Sequence, residues 1–141
     1  MTAYHADSSD LIEKEVLDYQ GFGDASRQLA QQIVDSEFRP EIIIAIARGG
    51  MLPAGALSYA LGVKLADAIN VEFYTDVETT LPDPVLLAPL LDSDAIAGKN
   101  VLVVDDVVDS GRTLQLVLDL LTKMGAHARS AVLYAKPTTV V

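Results

Sequence analysis

Two rhythms of apolar and polar positions run along this chain. The first is helical. Phe22, Ala25, Leu29, Ala30, Ile33 and Val34 recur at helical spacing, with Asp24 near the start, which predicts a helix over Phe22–Val34. The second is the unbroken apolar run. Glu41–Ala47 ("EIIIAIA") is almost wholly apolar and rich in β-branched residues, with no alternation, which suits a strand buried on both faces of a parallel sheet. "RGGMLP" then reads as a loop, with Pro53 in the first turn of a helix ending at Leu61 and Gly62 at its C′ position. Further strands are expected at Val71–Thr75 ("VEFYT"), Asn100–Asp106 ("NVLVVDD") and Ser130–Ala135 ("SAVLYA"). Leu114, Val117, Leu118 and Leu121 mark a helix from Arg112 to Met124, closed by Gly125. Strands and helices alternate, so the expected fold is a single α/β domain over residues 1–141, with a mostly parallel central sheet flanked by helices.

Three stretches fall outside these rhythms. Residues 1–10 read as a flexible tail, and residues 12–20 fit either a short strand or a helix. Residues 75–98 hold Pro82, Pro84, Pro89 and Gly98 with little periodicity. A connection that long inside a compact domain is usually a functional lid or a mobile segment. No internal repeat or low-complexity tract is visible.

Composition narrows the function classes. The chain has 141 residues, half of them hydrophobic, enough to bury roughly two-thirds of its unfolded surface and to argue against disorder. No apolar run approaches the ~20 residues a membrane span needs, so no membrane role is expected. The start, "MTAYHADSSD", has neither a basic nor an apolar segment of a signal peptide. Cysteine is absent, which excludes disulfides and thiol catalysis and fits a cytoplasmic protein. A net charge of −10 argues against nucleic acid as a partner, since that binding is driven by Lys and Arg. A polyanionic ligand would instead be held by backbone N–H groups, a few cations and a divalent metal. His5 and His127 have no metal-ligand spacing, and Gly21-Phe22-Gly23 is no dinucleotide fingerprint.

Open α/β sheets bind ligands beyond the carboxyl ends of their strands. Two loops there are unusual: "RGG" after Ala47 and "DDVVDSGRT" from Asp105 to Thr113. In the second, Gly111 permits a tight turn, and successive N–H groups at a helix N-terminus, with the Ser110 and Thr113 hydroxyls, suit a phosphate. Asp105 and Asp106 are acceptors only. They repel phosphate but match a vicinal diol such as that of a ribose. Asp109 falls between the two half-sites, where it can act as a general base or stabilise a developing cation. A phosphoacceptor receiver domain also carries an acidic pair after such a strand, but near its N-terminus, and the chain beyond Asp106 is too short for one.

"VLVVDDVVDSGRTL" (Val101–Leu114) resembles the PRPP-binding signature of the type I phosphoribosyltransferases. "IARGGMLPAGALSYALGV" (Ile46–Val63) is similar to the pyrophosphate loop and following helix of bacterial xanthine/hypoxanthine-guanine members. The resemblance implies the type I phosphoribosyltransferase fold and transfer of a 5-phosphoribosyl group from PRPP to a 6-oxopurine base. Asp105 and Asp106 would hold the ribose hydroxyls, directly or through Mg²⁺. Asp109 would be the catalytic base near N7 and border the 5′-phosphate, which Ser110, Gly111, Arg112 and Thr113 cradle. Arg48 and Gly49 would meet pyrophosphate, with a cis Ala47–Arg48 peptide, and Lys136 would contact the 6-oxo group of the base. Residues 75–90 match the family's lid in position. A C-terminal hood carrying a base-stacking aromatic follows "LYAKP" in relatives; this sequence ends "KPTTVV", so either the chain is truncated or the hood is absent, and the fold is expected here without that segment. Relatives are usually homodimers or tetramers. The alternative expectation is a PRPP- or nucleotide-binding regulator of the same fold without turnover.

Overall fold

The apolar run becomes the middle of a sheet. The structure, a computed structural model, describes residues 18–74, 83–86, 93–108 and 111–135. Strand β1 (Ile42–Ala47) has β2 (Leu65–Tyr74) on one side and β4 (Asn100–Val108) on the other, both parallel to it. Strand β5 (His127–Ala135) extends the parallel set beyond β4, and β3 (Asp83–Leu86) closes the opposite edge antiparallel to β2. The sheet order is β3-β2-β1-β4-β5. This is the expected mostly parallel α/β sheet.

Both faces of the sheet are covered, which is why β1 shows no alternation. Helix α1 (Tyr19–Asp35) and helix α2 (Met51–Leu61) pack on one face. There Ala30, Ile33, Ala54 and Leu57 meet Ile43, Ala45, Leu102 and Val104. Helix α4 (Arg112–Lys123) covers the other, where Val117 and Leu121 meet Ile42, Ile44, Val101 and Val103. Successive side chains of one strand therefore go to opposite cores, and each buried Val or Ile contributes about 1.5–3 kcal/mol.

Element ends differ from the sequence expectation for identifiable reasons. Helix α1 begins at Tyr19 because the Asp18 carboxylate accepts from Gly21 N at 2.6 Å; Asp24 lies inside the helix and pairs with Arg27. Helix α2 already starts at Met51, and Gly62 ends it at a φ of 69°, the left-handed conformation glycine favours. Strand β2 starts at Leu65 because Leu65–Asn70 pair in parallel with β1, while its outer half, Val71–Tyr74, pairs with β3. Asp67 and Asn70 hide the inner half from a hydrophobic pattern. Within the stretch 75–98, β3 places Pro84 on a sheet edge, where a missing N–H is tolerated. A helical turn, α3 (Ser93–Ile96), drives Ile96 fully into the core. Residues 1–17 and the remainder of the expected lid lie outside the described residues.

Candidate active site

Strands β1 and β4 are adjacent, yet their following helices go to opposite faces, α2 to one and α4 to the other. That makes the gap between their carboxyl ends the switch point of the sheet, where ligands of this architecture bind. The strands separate there. Their pairing runs from Ile42↔Val101 to Ala45↔Val104, whereas β4 stays paired to β5 as far as Val108↔Ala135.

The acidic side of the gap is the end of β4. Asp105 and Asp106 are both partly buried. Each carboxylate is turned onto the next peptide: Asp106 N donates to Asp105 Oδ1 at 2.8 Å, and Val107 N to Asp106 Oδ1 at 2.7 Å. Burial pushes the Asp105 carboxyl up to about 6; the Asp106 N–H opposes this, while the Asp106 side chain and its charge reinforce it. A carboxylate so placed is stabilised by a nearby cation or by a hydroxyl that donates a hydrogen bond to it.

The loop after β1 forms the other wall. The Ala47–Arg48 peptide is cis, as the resemblance implied. Arg48 and Gly49 are exposed, and Gly50 is buried. Gly50 N donates to Ile46 O at 2.8 Å and Ala54 N to Gly50 O at 2.9 Å, so the loop turns directly into α2. The two walls touch: a Cβ at Gly49 would overlap the Asp106 carboxylate, and one at Gly50 would overlap the Val104 carbonyl. Sequence reasoning places Gly50 in the RGG loop but gives it no role of its own; its requirement comes from a strand distant in sequence.

At the start of α4, Gly111 has a φ of 78°, a conformation other residues rarely adopt. Gln115 N donates to Gly111 O at 2.9 Å, closing the first turn. The first turn of a helix presents N–H groups that lack intrahelical acceptors, the arrangement that binds anions. Asp109, Ser110 and Lys136 lie outside the described residues, between β4 and α4 and just after β5. Among the described residues the structure therefore brings Gly49 against Asp106, with Arg48 and Asp105 next to them in the chain.

Among the described residues no group of three or more His, Asp or Glu forms a metal cage. Two adjacent carboxylates still suit Mg²⁺, a hard cation commonly held by one or two carboxylates while substrate phosphates supply further oxygens. A cavity of about 420 Å³ lies at the far end of α2, lined by Ser58, Tyr59, Gly62, Val63 and Lys64. Among the described residues it gathers no carboxylate and no helix N-terminus, so the chemistry points to the switch point instead.

Comparison with known proteins identifies the family. Residues 13–141 match the phosphoribosyl transferase domain. A xanthine-guanine phosphoribosyltransferase of Gluconobacter oxydans is 41% identical over 95 residues, which are 67% of this chain and 53% of that protein. The chain thus spans about half the length of curated relatives it matches. A purine phosphoribosyltransferase from Pyrococcus horikoshii superposes with a TM-score of 0.74 at 36% identity, covering 89% of this chain and 79% of that one. A Neisseria gonorrhoeae protein solved with bound ppGpp superposes with a TM-score of 0.76 at 29% identity, covering 84% and 69%. A family match reaching almost from end to end, on a fold shared with a purine phosphoribosyltransferase, leads to one conclusion: this chain belongs to the phosphoribosyltransferase family.

Proposed function

We propose that this protein transfers the 5-phosphoribosyl group of PRPP to a 6-oxopurine (xanthine, hypoxanthine or guanine), giving a nucleoside 5′-monophosphate and pyrophosphate. The observation that carries this reading is the meeting of a carboxylate pair and a basic glycine loop at the switch point. One ligand with a diol and two phosphate-bearing ends satisfies both walls and the α4 N-terminus together. Asp105 and Asp106 receive the ribose hydroxyls. The backbone from Ser110 to Thr113, Gly111 and Arg112 included, receives the 5′-phosphate, and Arg48 with the Gly49 N–H receives pyrophosphate. Lys136 contacts the purine 6-oxo group. Asp105 and Asp106 would also hold Mg²⁺, which when bound neutralises charge on the pyrophosphate leaving group.

In the reaction the bond from C1′ to the pyrophosphate oxygen breaks and its electron pair leaves with pyrophosphate. A purine nitrogen forms the new bond to C1′, and the proton it displaces passes to Asp109. Positive charge on the sugar grows at the transition state, so carboxylates fixed beside it lower the barrier. Residues 75–90 would act as a lid that keeps water from intercepting the sugar. A cytoplasmic homodimer is the expected working form. Met51, Leu52 and Tyr59, exposed on α2, are a candidate contact face. Among the described residues no helix is long and apolar enough to cross a membrane.

A spectrophotometric assay of the natural full-length protein with PRPP, Mg²⁺ and each base tests the reading, with turnover of at least one base expected. Asp109→Asn should slow turnover about 100-fold while changing PRPP affinity less than about threefold, as for a group acting mainly in the transition state. Equal losses in both would contradict that role. A second reading is a nucleotide-binding regulator of the same fold, favoured by the N. gonorrhoeae relative solved with ppGpp. Calorimetric binding of PRPP or a purine nucleotide, with no turnover of any base, would select it.

A further inference from the structure

The adjacent glycines after β1 meet different kinds of neighbour. A Cβ at Gly50 would run into backbone: the Val104 carbonyl, the Ile46 carbonyl oxygen at 2.8 Å and the Ile46 nitrogen at 3.0 Å. Those atoms belong to the paired strands β1 and β4 and cannot yield without disturbing the sheet. The nearest atoms to a Cβ at Gly49 are of a different sort, the Cγ and both oxygens of the Asp106 carboxylate. That group is the end of a short side chain. Rotation can move it, at the cost of the hydrogen bond it accepts from Val107 N at 2.7 Å. Neither glycine has a positive φ, so space rather than backbone conformation explains the residue type at both.

We propose that Gly49 is a positioning residue: its lack of a side chain leaves the berth in which the Asp106 carboxylate sits, so one contact sets both walls of the site. The proposal rests on the PRPP reading of those walls and adds a coupling between them. A methyl group at Gly49 leaves the sheet intact and displaces the carboxylate. Conversely, removal of the carboxylate changes the surroundings of Gly49. The ribose-side acceptor is thereby held in register with the pyrophosphate-side loop before any ligand arrives, which is the preorganisation that group transfer needs.

Amide spectra of the ligand-free protein test the contact directly, using Gly49→Ala, Asp106→Ala and the double variant. Gly49→Ala should melt within about 5 °C of the parent, a shift on the scale of 1 kcal/mol, and should move the Val107 amide resonance most of the way to its position in Asp106→Ala. Asp106→Ala should in turn move the Gly49 amide, a readout that adds no bulk and stands even where Gly49→Ala does not fold. In calorimetry with Mg²⁺ and PRPP, Gly49→Ala should weaken binding about 10-fold alone but less than about twofold in the Asp106→Ala background. An unmoved Val107 amide in folded Gly49→Ala, an unmoved Gly49 amide in Asp106→Ala, or equal losses in both backgrounds would overturn the proposal. PRPP failing to bind the parent would sink the substrate reading, while the two amide shifts would still decide the contact.

Discussion

At their amino ends, β1 and β4 are tied together by side chains; at their carboxyl ends the same two strands are held apart. Near the start, Glu41 N donates to Asn100 O at 2.8 Å and Asn100 N donates to a Glu41 carboxylate oxygen at 2.9 Å. The Asn100 side-chain amide donates to Arg39 O at 3.1 Å, and Lys99 lies 3.9 Å from Glu41. At the other end carboxylates turn back on their own backbone and glycines fill the space between strands. One end spends its polar groups on closure, whereas the other keeps its polar groups available to a ligand. The contrast separates residues that hold this fold together from those proposed to hold a substrate, although both sets lie on the same pair of strands.

The largest expected effect comes where the two purposes meet. Gly50→Ala forces a methyl group against the backbone of both strands and should cost about 3 kcal/mol, the upper end for overpacking. The measurement is the urea midpoint, with the slope unchanged. A midpoint equal to that of the parent would show that the strands part more freely than the geometry implies.

Next in size is the charge at the open end. Burial raises the Asp105 carboxyl from 3.8 to about 6. Between those values the folded protein binds more protons than the unfolded chain, so this group's contribution to stability is fully present at low pH and lost as pH rises through about 6. Asp105→Asn removes the titration. The unliganded variant should therefore gain on the parent as pH climbs from 4 to 6 and keep that gain at pH 7, while losing affinity for PRPP. Parallel pH profiles for the two proteins would refute the burial argument. Opposite signs for stability and binding mark a residue kept for its ligand rather than for the fold.

The sequence made much of the open end legible and little of the closed one. Asp105, Asp106, Gly111 and Arg48 were visible because a strand running into carboxylates, and a glycine before a helical pattern, are local signals. The buried strand β1 was visible because a sheet covered on both faces leaves no polar positions. Gly50 was not, because its reason is the Val104 carbonyl, more than fifty positions along the chain. The inner half of β2 was obscured by Asp67 and Asn70, and β3 by Pro84, whose tolerance depends on standing at an edge. The Glu41–Asn100 tie joins two elements that no periodicity connects.

That tie gives the smallest effect and the control for the others. Its groups are exposed, so water competes for every one of its bonds, and the Lys99 pair adds little. Glu41→Ala removes one charge-assisted acceptor from Asn100 N but leaves that N–H reachable by solvent. The expected loss is about 1 kcal/mol, the net worth of one intramolecular hydrogen bond, read from the same urea midpoint as Gly50→Ala. PRPP affinity should stay within about twofold of the parent, because the change lies at the opposite end of both strands and distant sites act nearly independently. A large loss of PRPP binding in Glu41→Ala would mean that closing the amino ends sets the width of the gap at the carboxyl ends. The two ends would then be one mechanical unit, and the division drawn between fold-holding and substrate-holding residues would fail.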